Sequence, residues 1–529
     1  MNSFRTPLLL SFILLLAISA YTQTLFQNSY KGSNRVNSTG NGMQVTFDGG
    51  FIIAGTDSST GAQGYDVFLL KLNALGDTLW TRSYGNASNE FGQYVIQTTD
   101  SGFAIAGQVA NGTNWDCLVI KTNKNGDTLW SRNLGGLGDD EANSVAETTG
   151  GGLLVSGYTN SFGSYDFYLI HLDHLGNLLS SKTYGTPKNE FAYYAQETFD
   201  GGYIIGGVGD SLGRGGYNPM LVKTNNLGDT LWTKVYGTLG VEWVYIVRQT
   251  RDSGFIFCGY STRDTGIAFN TLYLVKTNSL GDTLWSRYYG GSSAQEALDV
   301  METDSGELVL TGVTKLGAGG FDAFIILTDK FGILKKSKTY GSTGDEWSYA
   351  IRPTPLYGFS FVGSTSIFTS PGNALYFVRA DSSLNTGGCQ ETQPVFVSYS
   401  AVGLSYTPHL SVTTVSPTVA VLHPVITGGS SSVQNCLTMK MGGEKKALED
   451  IAVFPNPSSG ECNIIYNTID INQATAISVF QPSGKMVFSS GPVSIKNCRY
   501  DFSFLDGGIY FIRIEQGSQS AVRQWVLIK

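Results

Sequence analysis

The residues of this chain that could do chemistry are carboxylates at a repeated position. Glu90, Glu141, Glu190, Glu242, Glu296 and Glu346 each stand at the head of an apolar-alternating run, and cations recur alongside at Arg82, Arg132, Lys182, Lys234, Arg287 and Lys338. Opposite charges in register read as ion pairs or backbone caps copied from unit to unit, and an exposed pair contributes only about 0.5 kcal/mol. The chemical alternative is a ring of carboxylates holding a hard cation such as calcium through oxygen ligands. Ser38 interrupts that ring in the first unit. No other cofactor is implied.

A second set, Asp66, Asp116, Asp166 and Asp322 with Asn218 and Asn373, opens another run in six units and suits bonding to loop amides. Glycoside hydrolysis needs two carboxylates in different environments, and copies of one pattern do not supply that asymmetry. Among the four histidines, His171 fills a slot held elsewhere by Lys71, Lys121 and Lys223, so it is a substitution within a repeat. No nucleophile, acid and base converge. Aromatic residues on the least regular connections, Trp115, Tyr165, Tyr217 and Phe321, can stack on a sugar ring or a peptide, or pack on their own sheets.

A repeat positions these sets. The turn Leu75-Gly76-Asp77-Thr78-Leu79-Trp80 returns at Asn125 to Trp130, Leu227 to Trp232 and Leu280 to Trp285, with eroded copies at 175–180 and 331–336. Gly50, Gly102, Gly152, Gly202, Gly254, Gly306 and Gly358, spaced 50 or 52 residues apart, mark seven units. Four short strands at such a period are the signature of a propeller blade. Glycine in the turns supplies the positive φ of tight hairpins, and Trp80, Trp130, Trp232 and Trp285 are expected to pack between neighbouring units. The seventh unit lacks a fourth strand, and Thr24 to Tyr30 aligns with Thr78 to Tyr84. The expected fold is all-β: a seven-bladed β-propeller over 24–386 closed by the N-terminal strand, a strand-rich linker or small β module over 387–450, and a small C-terminal β-sandwich over 451–529.

The two ends of the chain give its address. Residues 1–20 carry Arg5, an apolar run from Leu8 to Ile18 and the small residues Ser19 and Ala20, which reads as a cleaved secretory signal. The apolar run is shorter than the ~20 residues of a spanning helix, and no transmembrane segment is expected in the mature chain. A net charge of −8 with no basic run excludes the electrostatic footprint of nucleic-acid binding. The six cysteines form no CxxC pair; an oxidising exterior allows Cys389 to bridge Cys436 and Cys462 to bridge Cys498.

The last module carries Pro455-Asn456-Pro457 with Gly460, the hairpin around Gly484, the strand Gly508-Ile509-Tyr510 and a strand ending on Lys529. These motifs resemble the type A C-terminal sorting domain of the type IX secretion system of Bacteroidetes bacteria. The resemblance implies that Pro455, Asn456, Pro457, Gly460, Gly484, Gly508, Tyr510 and Lys529 belong to an export signal. It implies the type IX machinery as partner, passage through the periplasm, and release from the cell or attachment to its outer surface. The Asp-Thr-Leu trios at Thr78, Thr128, Thr230 and Thr283 are also similar to an O-glycosylation sequon of such exported proteins. The repeats are loosely similar to pyrroloquinoline-quinone-type propellers and to the sialidase Asp box, but they depart from both at the cofactor pattern and at the serine and glycine offsets. The functional expectation is a non-enzymatic binding or adhesion module for a glycan or protein. A polysaccharide- or peptide-degrading enzyme working at the channel mouth, and a purely structural surface protein, are the alternatives.

Overall fold

The computed structural model describes residues 25–387 apart from 33–34, 60–63, 211–215, 238–239, 263–269, 291–292, 318, 355–357 and 367–371, together with parts of 391–434 and 451–527. The expected signal at 1–20, Cys389 and Cys436 lie outside the described residues. No helix occurs among those described. Seven antiparallel sheets, each with four strands from the repeats, form the bulk of the chain. In sheet 2 the strands are Glu90–Gln97, Phe103–Asn111, Asn114–Thr122 and Thr128–Gly135, called a to d below. Sheet 7 takes strands a to c from Glu346–Thr354, Gly358–Thr365 and Ala374–Asp381, and its strand d is Phe26–Gly32, with Ser29 opposite Tyr376.

The c-to-d turn is built by its own side chains. Asn73 Oδ1 accepts from the backbone N–H groups of Leu75 (2.8 Å) and Asp77 (2.9 Å), and Asn123, Asn225 and Asn278 do the same in their sheets. Gly76 has φ +85°, and a Cβ there would lie 2.3 Å from a ring carbon of Phe26 on the neighbouring sheet. The glycine therefore serves both the left-handed turn and the ring that presses on it.

Strands b and c are buried on both faces because each sheet is covered by the next. Ile52 and Leu69 of sheet 1 share a core with Val95, Phe103 and Ile120 of sheet 2. Sheet 1 meets sheet 7 likewise, with Met43, Phe51 and Phe68 against Ala350, Val362 and Phe377. A tyrosine of strand d reaches across six of the seven junctions to a carbonyl in the turn that follows the next strand c. Tyr84 donates to Gly126 O (2.7 Å), Tyr184 to Gly228 O (2.6 Å), Tyr236 to Gly281 O (2.7 Å), Tyr289 to Gly332 O (2.6 Å), Tyr340 to Leu384 O (2.8 Å) and Tyr30 to Gly76 O (2.5 Å). Sheet 2 carries Leu134 instead, and there Arg132 Nε donates to Gly176 O at 2.9 Å. The strand-d tryptophans lie at the same junctions, as Trp80 does against Phe103 and over Gly126.

A further device recurs in strand a. Each first strand carries a β-bulge, in sheet 4 between Ala192 and Tyr194 and in sheet 5 between Val244 and Ile246. Opposite each bulge strand b has a glycine, and a Cβ on Gly259 would lie 1.7 Å from Trp243 O. Only glycine allows the two backbones to approach this closely, and the bulge throws one residue of each strand a out of the ladder.

The segment expected to be a linker or small module adds a fifth strand to every sheet. Glu391–Thr392 pairs with strand d of sheet 6, Val397–Ser400 with sheet 5, Leu404–Tyr406 with sheet 4, Ser411–Thr414 with sheet 3, Thr418–Ala420 with sheet 2 and Val425–Gly428 with sheet 1. Ser430–Gln434 ends the circuit on Phe26–Gly32. These short pairings cover outer edges that would otherwise present unpaired N–H and C=O groups. Beyond them lie a three-stranded sheet (Ile451–Phe454, Glu461–Tyr466, Asn497–Asp501) and a four-stranded one (Met486–Val493, Thr475–Phe480, Gly508–Gln516, Gln519–Leu527). Cys462 stands opposite Tyr500 and Cys498 opposite Ile464, so the two cysteines are diagonal neighbours on adjacent strands.

Two substitutions separate the tyrosine bond from the bulge. Tyr236→Phe should cost about 1 kcal/mol, one net hydrogen bond, whereas Gly259→Ala should cost several times more by forcing the strands apart. Urea denaturation of the two variants beside the parent chain gives both numbers.

Candidate functional site

The junction residue of strand d, a tyrosine except for Leu134 in sheet 2, and the start of the next strand a are six residues apart in sheets 1 to 6, as in Tyr84 to Glu90 and Tyr236 to Glu242. On that register the carboxylate position is held by Glu90, Asp140, Glu190, Glu242, Gln295 and Glu346, with Ser38 in sheet 1. Glu141 and Glu296 are therefore not members of the expected acidic set. They occupy the next position, taken in other sheets by Phe91, Phe191, Trp243 and Trp347. The glycine count slips in the same way at sheet 6, where Gly306 has the turn's positive φ and Glu307 stands in the slot of Gly50.

The true set is not gathered into a ring of metal ligands. Its members lie one per junction, each beside the residue that starts strand c of the preceding sheet. A Cβ on Gly85 would lie 2.0 Å from Asp66 Oδ1 and 3.0 Å from Glu90 Oε2, and one on Gly185 would lie 2.0 Å from Asp166 Oδ1 and 2.8 Å from Glu190 Oε2. Burial, reinforced by the neighbouring carboxylate, pushes Glu90 and Glu190 up to about 7, and burial pushes Asp166 up to about 6. Asn218 beside Glu242 replaces one acid by an amide. The strand-d cations do not pair with this set either. Lys182 pairs with Asp229 (2.6 Å), Lys234 with Asp282 (3.2 Å) and Arg82 with Asp127 (3.7 Å), all in the following turn. Among the described residues no three His, Cys, Asp or Glu side chains come together as a metal site would need.

The four aromatic residues read from the sequence fall at the start of strand c or just before it. Three of their backbones are pinned by the loop before the next strand a: the N–H of Tyr165 donates to Asn189 Oδ1 (3.3 Å), that of Trp115 to Asp139 Oδ1 (3.2 Å) and that of Phe321 to Asp345 Oδ1 (2.8 Å). Trp115 packs on Phe91 at 5.4 Å, and Phe321 on Trp347 at 5.5 Å. Tyr165 and Tyr217 instead enter a continuous arc of rings on the variable-loop face of sheets 3 to 5. Phe191 lies between them, 5.0 Å from Tyr165 and 5.9 Å from Tyr217, and Tyr217 meets Trp243 at 5.1 Å. Tyr158, Tyr193, Tyr245 and Tyr260 complete the set, with Tyr158 edge-on to Phe191 at 4.9 Å and Trp243 parallel to Tyr260 within 3°. All eight rings are half-buried.

The bulge explains the arc. Its extra residue is Tyr193 in sheet 4 and Tyr245 in sheet 5, whereas sheets 1 and 3 place Asn41 and Asn143 there, each bonded to a carbonyl of the next sheet. One backbone device thus makes junction bonds on one side and presents rings on the other. A carboxyl closes each end of the arc. Tyr158 bonds Glu141, and Tyr245 donates to Glu296 Oε2 (3.3 Å), whose other oxygen accepts from Asn270 (3.0 Å). Burial raises both carboxyls, against the lowering effect of these bonds.

Below the arc the space between the first strands is filled. Asp299 of sheet 6 pairs with Arg248 of sheet 5 (2.9 Å) and Arg352 of sheet 7 (2.6 Å). Arg352 also donates to Tyr94 of sheet 2 (3.0 Å) and Arg248 to Tyr194 of sheet 4 (3.1 Å), and the two tyrosine rings meet at 5.7 Å. Burial opposes the charge of Asp299, but the two guanidinium groups outweigh it and hold the carboxyl below its usual range. The circuit is closed on itself and joins the first strands of five sheets. Neither this plug nor the bulged tyrosines was read from the sequence. The available signal was departure from the repeat: Arg248, Asp299 and Arg352 are charges at strand-a positions that are uncharged in the other sheets.

The remaining expectations fall as follows. The hydroxyl oxygens of Thr128 and Thr230 are buried, so glycosylation there would have to precede folding. Pro455, Asn456, Pro457, Gly460, Gly484 and Lys529 lie outside the described residues; Gly508 opens a strand, and Tyr510 is buried with its hydroxyl on Asp506 O (2.8 Å). No described helix is long and apolar enough to cross a membrane.

Comparison with known proteins adds one assignment. Residues 452–529 match a family model described as a secretion system C-terminal sorting domain. These residues are a type IX secretion sorting domain. No curated protein matches the chain. Among solved structures, Sqt1 of Chaetomium thermophilum is similar at 10% identity over 67% of this chain and 97% of its own, with a TM-score of 0.39. A fungal alcohol oxidase of the AA5 family, in complex with copper, is similar at 8% identity over 95% of this chain and all of its own, with a TM-score of 0.38.

The paired carboxyls give a signed pH dependence. Glu190 and Asp166 keep their protons to about 7 and about 6 when folded, against 4.5 and 3.8 for the ordinary groups. The folded chain binds more protons across that interval, so stability is lost as pH rises from roughly 4 to 7. Tm should fall between pH 5 and pH 7.5, and Glu190→Gln should flatten the decline; a steeper decline in the variant would contradict the assignment.

Proposed function

We propose that the seven sheets close into a seven-bladed propeller through the N-terminal strand, and that this propeller is a non-enzymatic binding or adhesion module presented outside the cell. Sheet 1 packs on sheet 7 as every other neighbour does, and Tyr30 makes the same junction bond as its counterparts, which supports closure. The sorting domain directs export by the type IX route, to the cell surface or the extracellular space.

The observation that carries the binding role is the aromatic arc. Eight partly exposed rings are held at fixed angles by one another and pinned to a rigid scaffold, which suits recognition of a preformed surface with little ordering cost. The plug supports binding over turnover, because it fills the axis with groups already paired to one another. A glycan or a protein is the ligand class of this reading, and the arc residues are its contacts.

Two measurements test it. Trp243→Ala should abolish or reduce at least tenfold the retention of the purified chain on whole cells or extracellular polymer, while its Tm changes little. Deleting 451–529 should leave the propeller trapped in the periplasm, and its appearance in the medium would remove the export assignment.

A further inference from the structure

The arc has a chemical character that narrows its ligand, and this step rests on the binding role proposed above. Its rings are half-buried, and six of them are tyrosines whose hydroxyls place polar atoms beside apolar planes. That alternation matches a sugar, which offers an apolar C–H face and a girdle of hydroxyls; a purely apolar peptide surface has nothing to pair with those oxygens. At each end stands an acceptor: Glu141 bonded to Tyr158, and Glu296 held by Tyr245 and Asn270. Each carboxyl is oriented by a tyrosine and retains acceptor capacity for ligand hydroxyls.

Charge decides between sugar classes. Among the described residues no lysine or arginine lies over a ring of the arc; such contacts occur at Trp80, Trp130, Tyr194, Trp285, Phe321 and Phe331. Among the described residues an acidic glycan would meet two carboxyls and no cation stacked on a ring of the arc. A cationic peptide would need both carboxyls fully ionised, whereas each is largely buried and already bonded to neutral partners. We infer that the arc binds an uncharged oligosaccharide, its rings stacking on successive sugar units and Glu141 and Glu296 accepting hydroxyl bonds at the two ends. The plug beneath makes this a trough on the surface, suited to a stretch of a polymer lying across it.

Affinity electrophoresis of the full chain through gels containing galactomannan, mixed-linkage glucan or xylan, with alginate and polylysine as charged counterparts, tests this. Retardation by at least one neutral polymer is expected, with Kd raised at least tenfold by Trp243→Ala and several-fold by Glu296→Gln. Tyr193→Phe, which keeps the ring, should change Kd less than Trp243→Ala and guards against a folding artefact. Binding to alginate or polylysine alone, lost in Trp243→Ala, would overturn the neutral-sugar assignment and leave the arc as a binding site. Retardation by a neutral polymer that ignores all three substitutions would overturn the arc itself. No retardation by any neutral polymer would overturn the inference.

Discussion

The contact on which the structure depends is the hydrogen bond from a strand-d tyrosine to a carbonyl in its neighbour's c-to-d turn. It joins three sequence features that otherwise look independent: the tyrosine six residues before strand a in sheets 2, 4, 5, 6 and 7, the glycine with positive φ, and the Asn or Asp that folds the turn. A buried hydroxyl must find an acceptor, and the turn offers one because its own side chain has already satisfied the N–H groups. Where Leu134 removes the hydroxyl, Arg132 supplies the donor instead. The bond fixes the rise and angle between sheets, and so where every variable loop emerges.

The sheets then differ where the repeat departs from itself. The bulge is imposed in every sheet by a strand-b glycine under a carbonyl of strand a, so its position is architectural. What it presents is free to vary. Asparagine there makes a junction bond, and tyrosine there in sheets 4 and 5 joins the arc of rings. The Arg248–Asp299–Arg352 circuit follows the same logic at greater depth, where two guanidinium groups share one carboxylate between three neighbouring first strands and bond tyrosines from two more.

The sheets, their turns and the sorting domain were legible because each rests on local chemistry repeated many times: glycine in a hairpin, tryptophan at strand spacing, an ordered set of terminal motifs. The acidic set was misjoined at Glu141 and Glu296 because the nearest glutamate in sequence is one residue from the structural position, and alternation inverts the face of any residue displaced by one. The bulges left no trace in period-2 patterning, since an extra residue reads as noise in a strand of eight. The strands over 391–434 are two to five residues long, too short to show alternation, and what orders them is the edge they cover. Trp115 and Phe321 look like Tyr165 and Tyr217 in sequence; only the partners across the junctions separate them.

The fifth strands give the molecule a directional response to load. Tension applied between the seven sheets and the C-terminal end runs along 391–434, and the first segment to feel it is Ser430–Gln434. Each attachment is a few residues long and must yield before the next is stressed, so force is spent peeling a wrapped cord instead of shearing a core. About 44 residues can be paid out in this way, on the order of 150 Å of reach, before a four-stranded sheet is disturbed.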